Sequence, residues 1–124
     1  MRFVSLLLAG SVMIFAPTAA NADSYDLNST TGHIHLHISH DGDVTGEYPS
    51  MDGQIFGHEN RDGDINGIWV RPTSDRECSE SRHGSYYWGR VKIIHPRERH
   101  FEGWWSRCDD TPDNDWGLRL EHDD

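Results

Sequence analysis

The segment HDGDVTGEY (residues 40–48) is repeated along the chain and decides how the fold is interpreted. It returns as RDGDINGIW (61–69), and RERHFEGWW (97–105) keeps the same ending of an apolar residue, any residue, Gly, any residue and an aromatic residue. Asp-Gly between short alternating runs of apolar and polar residues is typical of hairpin turns. The repeat therefore predicts an antiparallel β-meander.

Alternating runs continue on both sides of this repeat, and no helical periodicity interrupts them. The predicted fold is all-β, an antiparallel meander of about seven strands that is curled into a small barrel or barrel-like sheet. Whether the barrel closes alone or through a homo-oligomer stays open. The predicted strands lie near residues 33–39, 43–48, 54–59, 64–70, 85–94, 100–106 and 116–121.

The register of the first hairpin follows from its two faces. A two-residue turn at Asp41-Gly42 would place Leu36 on the same face as Glu47, which mixes core with solvent. A three-residue loop with Gly42 in the left-handed conformation pairs Leu36 with Gly46 and keeps the apolar residues together. We therefore predict the second register.

Glycines are expected to face each other across several strands. The loop lengths set Gly46 opposite Gly57 and Gly57 opposite Gly67, and in the later hairpin Gly89 opposite Gly103. Rows of glycine permit strong coiling of a sheet and leave room for aromatic rings to lie over them. This pattern favours a curled, barrel-like sheet.

The first 22 residues have the pattern of a signal peptide. Arg2 gives a positive start, an apolar run too short to span a bilayer follows, and PTAANA supplies a small-residue cleavage signal. We predict residues 1–22 as the signal peptide and 23–124 as a single domain. The protein is then periplasmic or secreted, with no membrane span after cleavage.

The predicted export of the protein indicates the oxidation state of its two cysteines. Cys78 and Cys108 are the only cysteines, and an oxidising compartment favours joining them. A cysteine-based metal site would need a CxxC pair, which is absent. We predict one disulfide, which by chain entropy should contribute about 3 to 4 kcal/mol for a loop of about 30 residues.

The charge of the chain limits its partners. The formal net charge is −10 at pH 7, so nucleic acid and anionic lipid would be repelled. An unknown protein or a small molecule remains as the partner.

Four histidines lie within HIHLHISH (33–40), and this strand is the first candidate site. An HxH pair on a strand places two imidazoles side by side, and the predicted register adds a carboxylate opposite them. The face is interpreted either as an ordinary solvated strand surface or as a site for zinc or copper. The candidate metal ligands are His35, His37, Glu47 and His58.

The second candidate surface is aromatic. The predicted Gly89–Gly103 register sets Trp88 directly opposite Trp104 on the face away from the core, where the two rings would bind a glycan, a small ligand or a protein. Phe56, Ile68 and Val70 share that face, and a second core there is the alternative.

Catalytic motifs are missing from the sequence. It has no GxSxG elbow, no HExxH, no P-loop and no glycine-rich dinucleotide turn. We predict a binding protein and not an enzyme.

The segment STTGHIHLHISHDGDVTGEY (29–48) resembles the opening hairpin of avidin-like barrels, in which a glycine-led strand is followed by a turn and a G-x-Tyr ending. It is also similar to small secreted bacterial proteins built from V-T-G-x-Y meanders. The resemblance implies a β-meander. Tyr48 stands at the position of the avidin-like tyrosine, and His33 stands where that family has a serine that contacts biotin.

Overall fold

A computed structural model of the protein describes residues 23–94 and 101–121. Within them the chain forms one antiparallel sheet of nine strands, curved into a half-barrel. The spatial order is β8-β7-β6-β5-β4-β3-β2-β1-β9. The strands are β1 (Asp23–Ser29), β2 (Gly32–Ile38), β3 (Asp43–Tyr48), β4 (Gly53–Glu59), β5 (Asp64–Arg71), β6 (Tyr87–Ile94), β7 (Glu102–Trp105), β8 (Asn114–Asp115) and β9 (Arg119–Leu120).

The all-β antiparallel meander is confirmed, but the strand count of about seven is wrong. Strand β1 was not predicted, because its sequence DSYDLNS is mostly polar and buries fully only Leu27. Strands β8 and β9 are too short to show a periodicity. The predicted signal peptide, residues 1–22, lies outside the described residues. Among the described residues, no helix has the length and apolar character needed to cross a bilayer.

The predicted register of the first hairpin is confirmed. Leu36 pairs with Gly46, Ile38 pairs with Val44, and Gly42 has a φ of 91°. The alternation of apolar and polar residues on β2 and β3 therefore decides which face of each strand meets the core.

The predicted pairing of β3 with β4 is wrong by two residues, although Gly57 does pair with Gly67. Gly46 lies opposite Ile55, and Tyr48 lies opposite Gly53. The reason is Pro49, which has no N–H for the ladder and begins a 3-10 turn, so that β3 ends at Tyr48.

The predicted pairing of β6 with β7 is wrong by four residues. Gly103 lies opposite Ile93, and Trp104 lies opposite Lys92. The backbone beyond β7 continues to bond to β6, since Ser106 donates its N–H to Arg90 and Cys108 donates its N–H to the carbonyl of Trp88. Gly89 thus faces the backbone of 106–108 instead of Gly103.

Two clusters of buried side chains lie on opposite faces of the sheet. The main core fills the concave side, with fully buried residues such as Leu36, Ile55 and Ile65. The second cluster, on the convex side, contains Val70, Cys78 and Trp88, with Phe56, Ile68 and Cys108 packed against or beside them. The predicted disulfide is confirmed, with 5.6 Å between the Cα atoms of Cys78 and Cys108.

The C-terminal segment 114–121 connects the two edges of the sheet. Its beginning, β8, pairs with β7, and its end, β9, pairs with β1. Between them, Trp116 donates its N–H to the carbonyl of Gly103 and accepts the N–H of Thr30. Gly117, with a φ of 66°, turns the chain from one edge to the other.

Candidate functional site

The C-terminal ends of β1, β3, β5 and β7 form one rim of the half-barrel, because successive strands of an antiparallel meander run in opposite directions. A cavity of about 330 Å³ opens at this rim. Its aromatic walls come from Tyr48, Trp69, Trp105 and Trp116. Its polar walls come from Thr30, Thr31, Arg71, Ser74, Asp75 and Arg107. We call this cavity the aromatic pocket.

A W-x-R pattern ends two of these strands, as Trp69-Val70-Arg71 on β5 and as Trp105-Ser106-Arg107 at the end of β7. Alternate residues of a strand share a face, so each arginine lies beside its own tryptophan. The Arg71 guanidinium is 5.4 Å from the ring centre of Trp69, and that of Arg107 is 4.9 Å from the ring centre of Trp105. Both distances suit a cation–π contact.

The position of the Trp69 ring depends on a glycine of the neighbouring strand. It pairs with Gly89 on β6, and a Cβ at that glycine would overlap the backbone carbonyl of Ser106. That carbonyl accepts the indole N–H of Trp69 at 2.8 Å. The close approach of two strands at Gly89 therefore fixes the ring that forms one wall of the pocket.

Tyr48 and Trp116 form a second aromatic wall. The Tyr48 ring covers Gly53 and packs edge-on against Trp116, with 5.6 Å between the ring centres. Trp116 donates its indole N–H to the Thr31 hydroxyl at 2.9 Å. Burial raises the pKa of Tyr48, and the nearby Arg71 guanidinium only partly opposes this shift, so the phenol stays protonated at neutral pH.

An ion pair closes one side of the pocket. Arg107 donates from Nε and Nη2 to the two carboxylate oxygens of Asp75, at 3.0 and 2.7 Å. These hydrogen bonds lower the pKa of Asp75 and raise that of Arg107. Asp75 is three residues before Cys78, and Arg107 is adjacent to Cys108, so the disulfide holds the two partners near each other.

The structure does not bring the predicted ligand-binding pair, Trp88 and Trp104, together. Trp88 is only 2% exposed in the second cluster and lies opposite Val70. Its indole N–H donates to the carbonyl of Glu80. The alternative of a second core is confirmed for Trp88, and the covering element is the 72–86 connection.

Three of the four candidate metal ligands share one groove on the convex side. His35, His37 and Glu47 line this groove of about 310 Å³, and His35 pairs with Glu47 as the sequence predicts. His58 is not among its lining residues, and its Nδ1 lies 3.4 Å from Asp43.

The imidazoles of this face turn toward β1 and not toward Glu47. His35 Nδ1 is 2.8 Å from Asp26 Oδ1, and His37 Nδ1 is 3.1 Å from the Ser24 hydroxyl. Across residues 23–94 and 101–121, no group of three His, Cys, Asp or Glu side chains is arranged to hold a metal ion. Metal binding at this face stays a prediction.

Comparisons with family models, curated proteins and solved structures find no match for this chain. The resemblance to avidin-like barrels therefore also stays a prediction.

The aromatic pocket was not predicted from the sequence, although one signal for it is present. In a meander, the residues that end alternate strands meet at one rim, and two such strands end in W-x-R while a third ends at Tyr48. The contribution of Trp116 had no such signal, because it depends on the C-terminal segment crossing between the edges.

Proposed function

We propose that this protein is an exported binding module, without catalysis, that takes up a small molecule in the aromatic pocket. The observation that supports this most is the pocket itself, a cavity of about 330 Å³ lined by four aromatic side chains and a small number of charged groups. Small-molecule sites are typically concave and mostly apolar, with a few polar groups that orient the ligand.

Other features of the chain agree with this proposal. The disulfide supports an oxidising compartment. The net charge of −10 disfavours nucleic acid as a partner. The aromatic side chains of the pocket are suited to ligand binding, because rings contribute apolar contact area at a low cost in conformational entropy.

The proposal is tested by filling the pocket from Ser74, a residue of the 72–86 connection that belongs to neither hydrophobic cluster. Ser74 lines the pocket and Ser79 belongs to the same connection without lining it. Calorimetry with 2-naphthylacetamide and 2-naphthylacetate as probes should detect binding of at least one of them to the wild-type protein. Ser74→Phe should abolish that binding, because the new ring occupies the cavity.

The matched control, Ser79→Phe, adds the same ring to the same connection and should leave binding unchanged. If neither probe binds the wild-type protein at millimolar concentration, the proposed function is wrong. The same conclusion follows if Ser74→Phe binds as well as the control.

Metal binding at the His-rich face is a second candidate function. It is favoured by the groove that contains His35, His37 and Glu47. Zn²⁺ or Cu²⁺ would compete with the contact between His35 and Asp26, and binding should weaken on acidification because imidazole must be unprotonated to act as a ligand.

The double substitution His35→Gln with His37→Gln should abolish metal binding measured by calorimetry. His40→Gln, in the exposed turn that follows β2, is the control. Binding that survives the double substitution would remove this candidate.

A further inference from the structure

The charge of the aromatic pocket is opposite in sign to that of the chain. Two arginines and one aspartate line the pocket, whereas the whole protein carries −10. A cationic site in an acidic protein concentrates the local positive potential where a ligand would enter. The pocket is therefore suited to an anion.

The two arginines differ in how far their charge is neutralised. The charge of Arg107 is balanced by its bidentate pair with Asp75. Arg71 has no carboxylate within salt-bridge distance among the described residues. Its Nε donates to the carbonyl of Thr73, and its Nη1 lies 3.1 Å from the sulfur of Met51.

A guanidinium without an anionic partner, at the edge of a partly enclosed cavity, favours a planar anion. Two neighbouring N–H groups of a guanidinium can match the two oxygens of a carboxylate, and the bonds are charge-assisted. Arg71 also lies over the Trp69 ring, which limits its freedom to turn away from the cavity. A carboxylate therefore suits the charge and the planar shape of the Arg71 guanidinium.

The hydrogen-bonding groups of the walls decide between a sugar and an apolar ring. The Trp69 N–H is used by Ser106, and the Trp116 N–H is used by Thr31. The Thr30 hydroxyl donates to the carbonyl of Trp116. A sugar would bury several hydroxyls against groups that already have partners, which costs free energy. A flat apolar ring requires no such partners.

We propose that the aromatic pocket binds a small aromatic carboxylate, with Arg71 engaging the carboxylate and the ring lying between the Tyr48–Trp116 and Trp69–Trp105 walls. The inference rests on the proposed function and goes further by naming the chemical class of the ligand.

The experiment compares two probes of nearly equal shape and different charge. Calorimetry should show that 2-naphthylacetate binds at least about tenfold more tightly than the neutral 2-naphthylacetamide, because only the former pairs with Arg71. Acetate, which lacks the ring, and glucuronate, which replaces the ring with a polyol, should both bind at least about tenfold more weakly than 2-naphthylacetate.

The variant Arg71→Gln should bind 2-naphthylacetate no more tightly than 2-naphthylacetamide. Its affinity for 2-naphthylacetamide should stay within about twofold of the wild-type affinity, because only the charge-assisted bond to the carboxylate is lost. Arg61→Gln is the matched control, since Arg61 is exposed in the turn that precedes β5, away from the pocket. The salt dependence of the wild-type protein is a second measurement that needs no variant: added NaCl should weaken binding of the anion and not of the amide.

Each alternative outcome has a defined meaning. Equal affinities for the two naphthyl probes would overturn the assignment of an anionic ligand and leave the proposed function standing. Glucuronate binding as tightly as 2-naphthylacetate would overturn the assignment of an aromatic ring. Absence of binding by both naphthyl probes would overturn the proposed function, and this inference with it.

Discussion

The W-x-R segments that end β5 and β7 share a sequence pattern and a rim of the sheet, yet their surroundings differ. Trp69 is 4% exposed and locked by a hydrogen bond, while Trp105 is half-buried. Arg71 has no carboxylate partner among the described residues, whereas Arg107 is paired with Asp75. The same sequence pattern therefore places Arg71 where it suits an anionic ligand, and Arg107 where its ion pair holds the 72–86 connection.

The largest expected effect comes from removing the disulfide, which holds the segments that carry Arg107 and Asp75. Replacing Cys78 and Cys108 together by Ser frees the 72–86 connection and should lower the free energy of unfolding by about 3 to 4 kcal/mol, as expected for a closed loop of about 30 residues. Urea unfolding measures the loss. A double variant with unchanged stability would show that the connection is held by other contacts.

Substitution of Gly89 should have the largest effect on the surroundings of Trp69. Gly89→Ala places a methyl group against the carbonyl of Ser106, a backbone atom that cannot rotate away. We expect a loss of about 2 to 3 kcal/mol in the free energy of unfolding, also measured in urea, as for overpacking of a well-packed site. Near-UV circular dichroism should report a changed environment for Trp69.

Gly46→Ala is the comparison for this glycine. The nearest atom to a Cβ at Gly46 is the end of the Leu36 side chain, at 2.8 Å, which has rotamer freedom. We therefore expect a smaller loss in the free energy of unfolding than for Gly89→Ala. If Gly46→Ala cost more than Gly89→Ala, the close approach at Gly89 would not be the feature that holds Trp69.

The smallest expected effect concerns the titration of Asp75. Hydrogen bonds from Arg107 lower the pKa of this carboxyl, so the folded state favours its ionised form. The stabilisation is present above the pKa of an unfolded aspartate and is lost as the pH falls through the lowered folded pKa. An NMR titration in Arg107→Gln should show the pKa of Asp75 returning toward its ordinary value.

Arg71→Gln is the control for this titration. It should leave the pKa of Asp75 nearly unchanged, since Arg71 is not among the groups that shift it. A shift as large as that in Arg107→Gln would mean that the two arginines act on Asp75 alike, and the contrast between them would fail.

For the strands β2 to β7, the sequence predicted the face of each strand better than its register. Alternation has a period of two residues, so a shift of two or four residues leaves every side chain on its expected face. The partners of Gly46 on β4 and of Gly103 on β6 were therefore predicted wrongly by two and four residues without any change of face. The β2–β3 pairing was predicted correctly because an even loop would have mixed the two faces. Predicting those pairings would have required the effects of Pro49 and of the backbone beyond β7.

The candidate site was harder to predict for a related reason. The histidines of HIHLHISH are close together in sequence, and the groove at His35, His37 and Glu47 follows from the register of neighbouring strands. The aromatic pocket collects residues that are far apart in sequence, and Trp116 reaches it only because a later segment crosses between two edges.

That crossing has a consequence for the behaviour of the protein in concentrated solution. The unpaired N–H and C=O groups of a sheet edge are templates for strand addition by other molecules. Strands β8 and β9 occupy part of the edges of β7 and β1, and Trp116 sits between them in contact with Thr30 and Thr31. A ligand that packs on Trp116 would hold this cover in place, so an occupied pocket should delay self-association of the chain, and release of the segment should promote it.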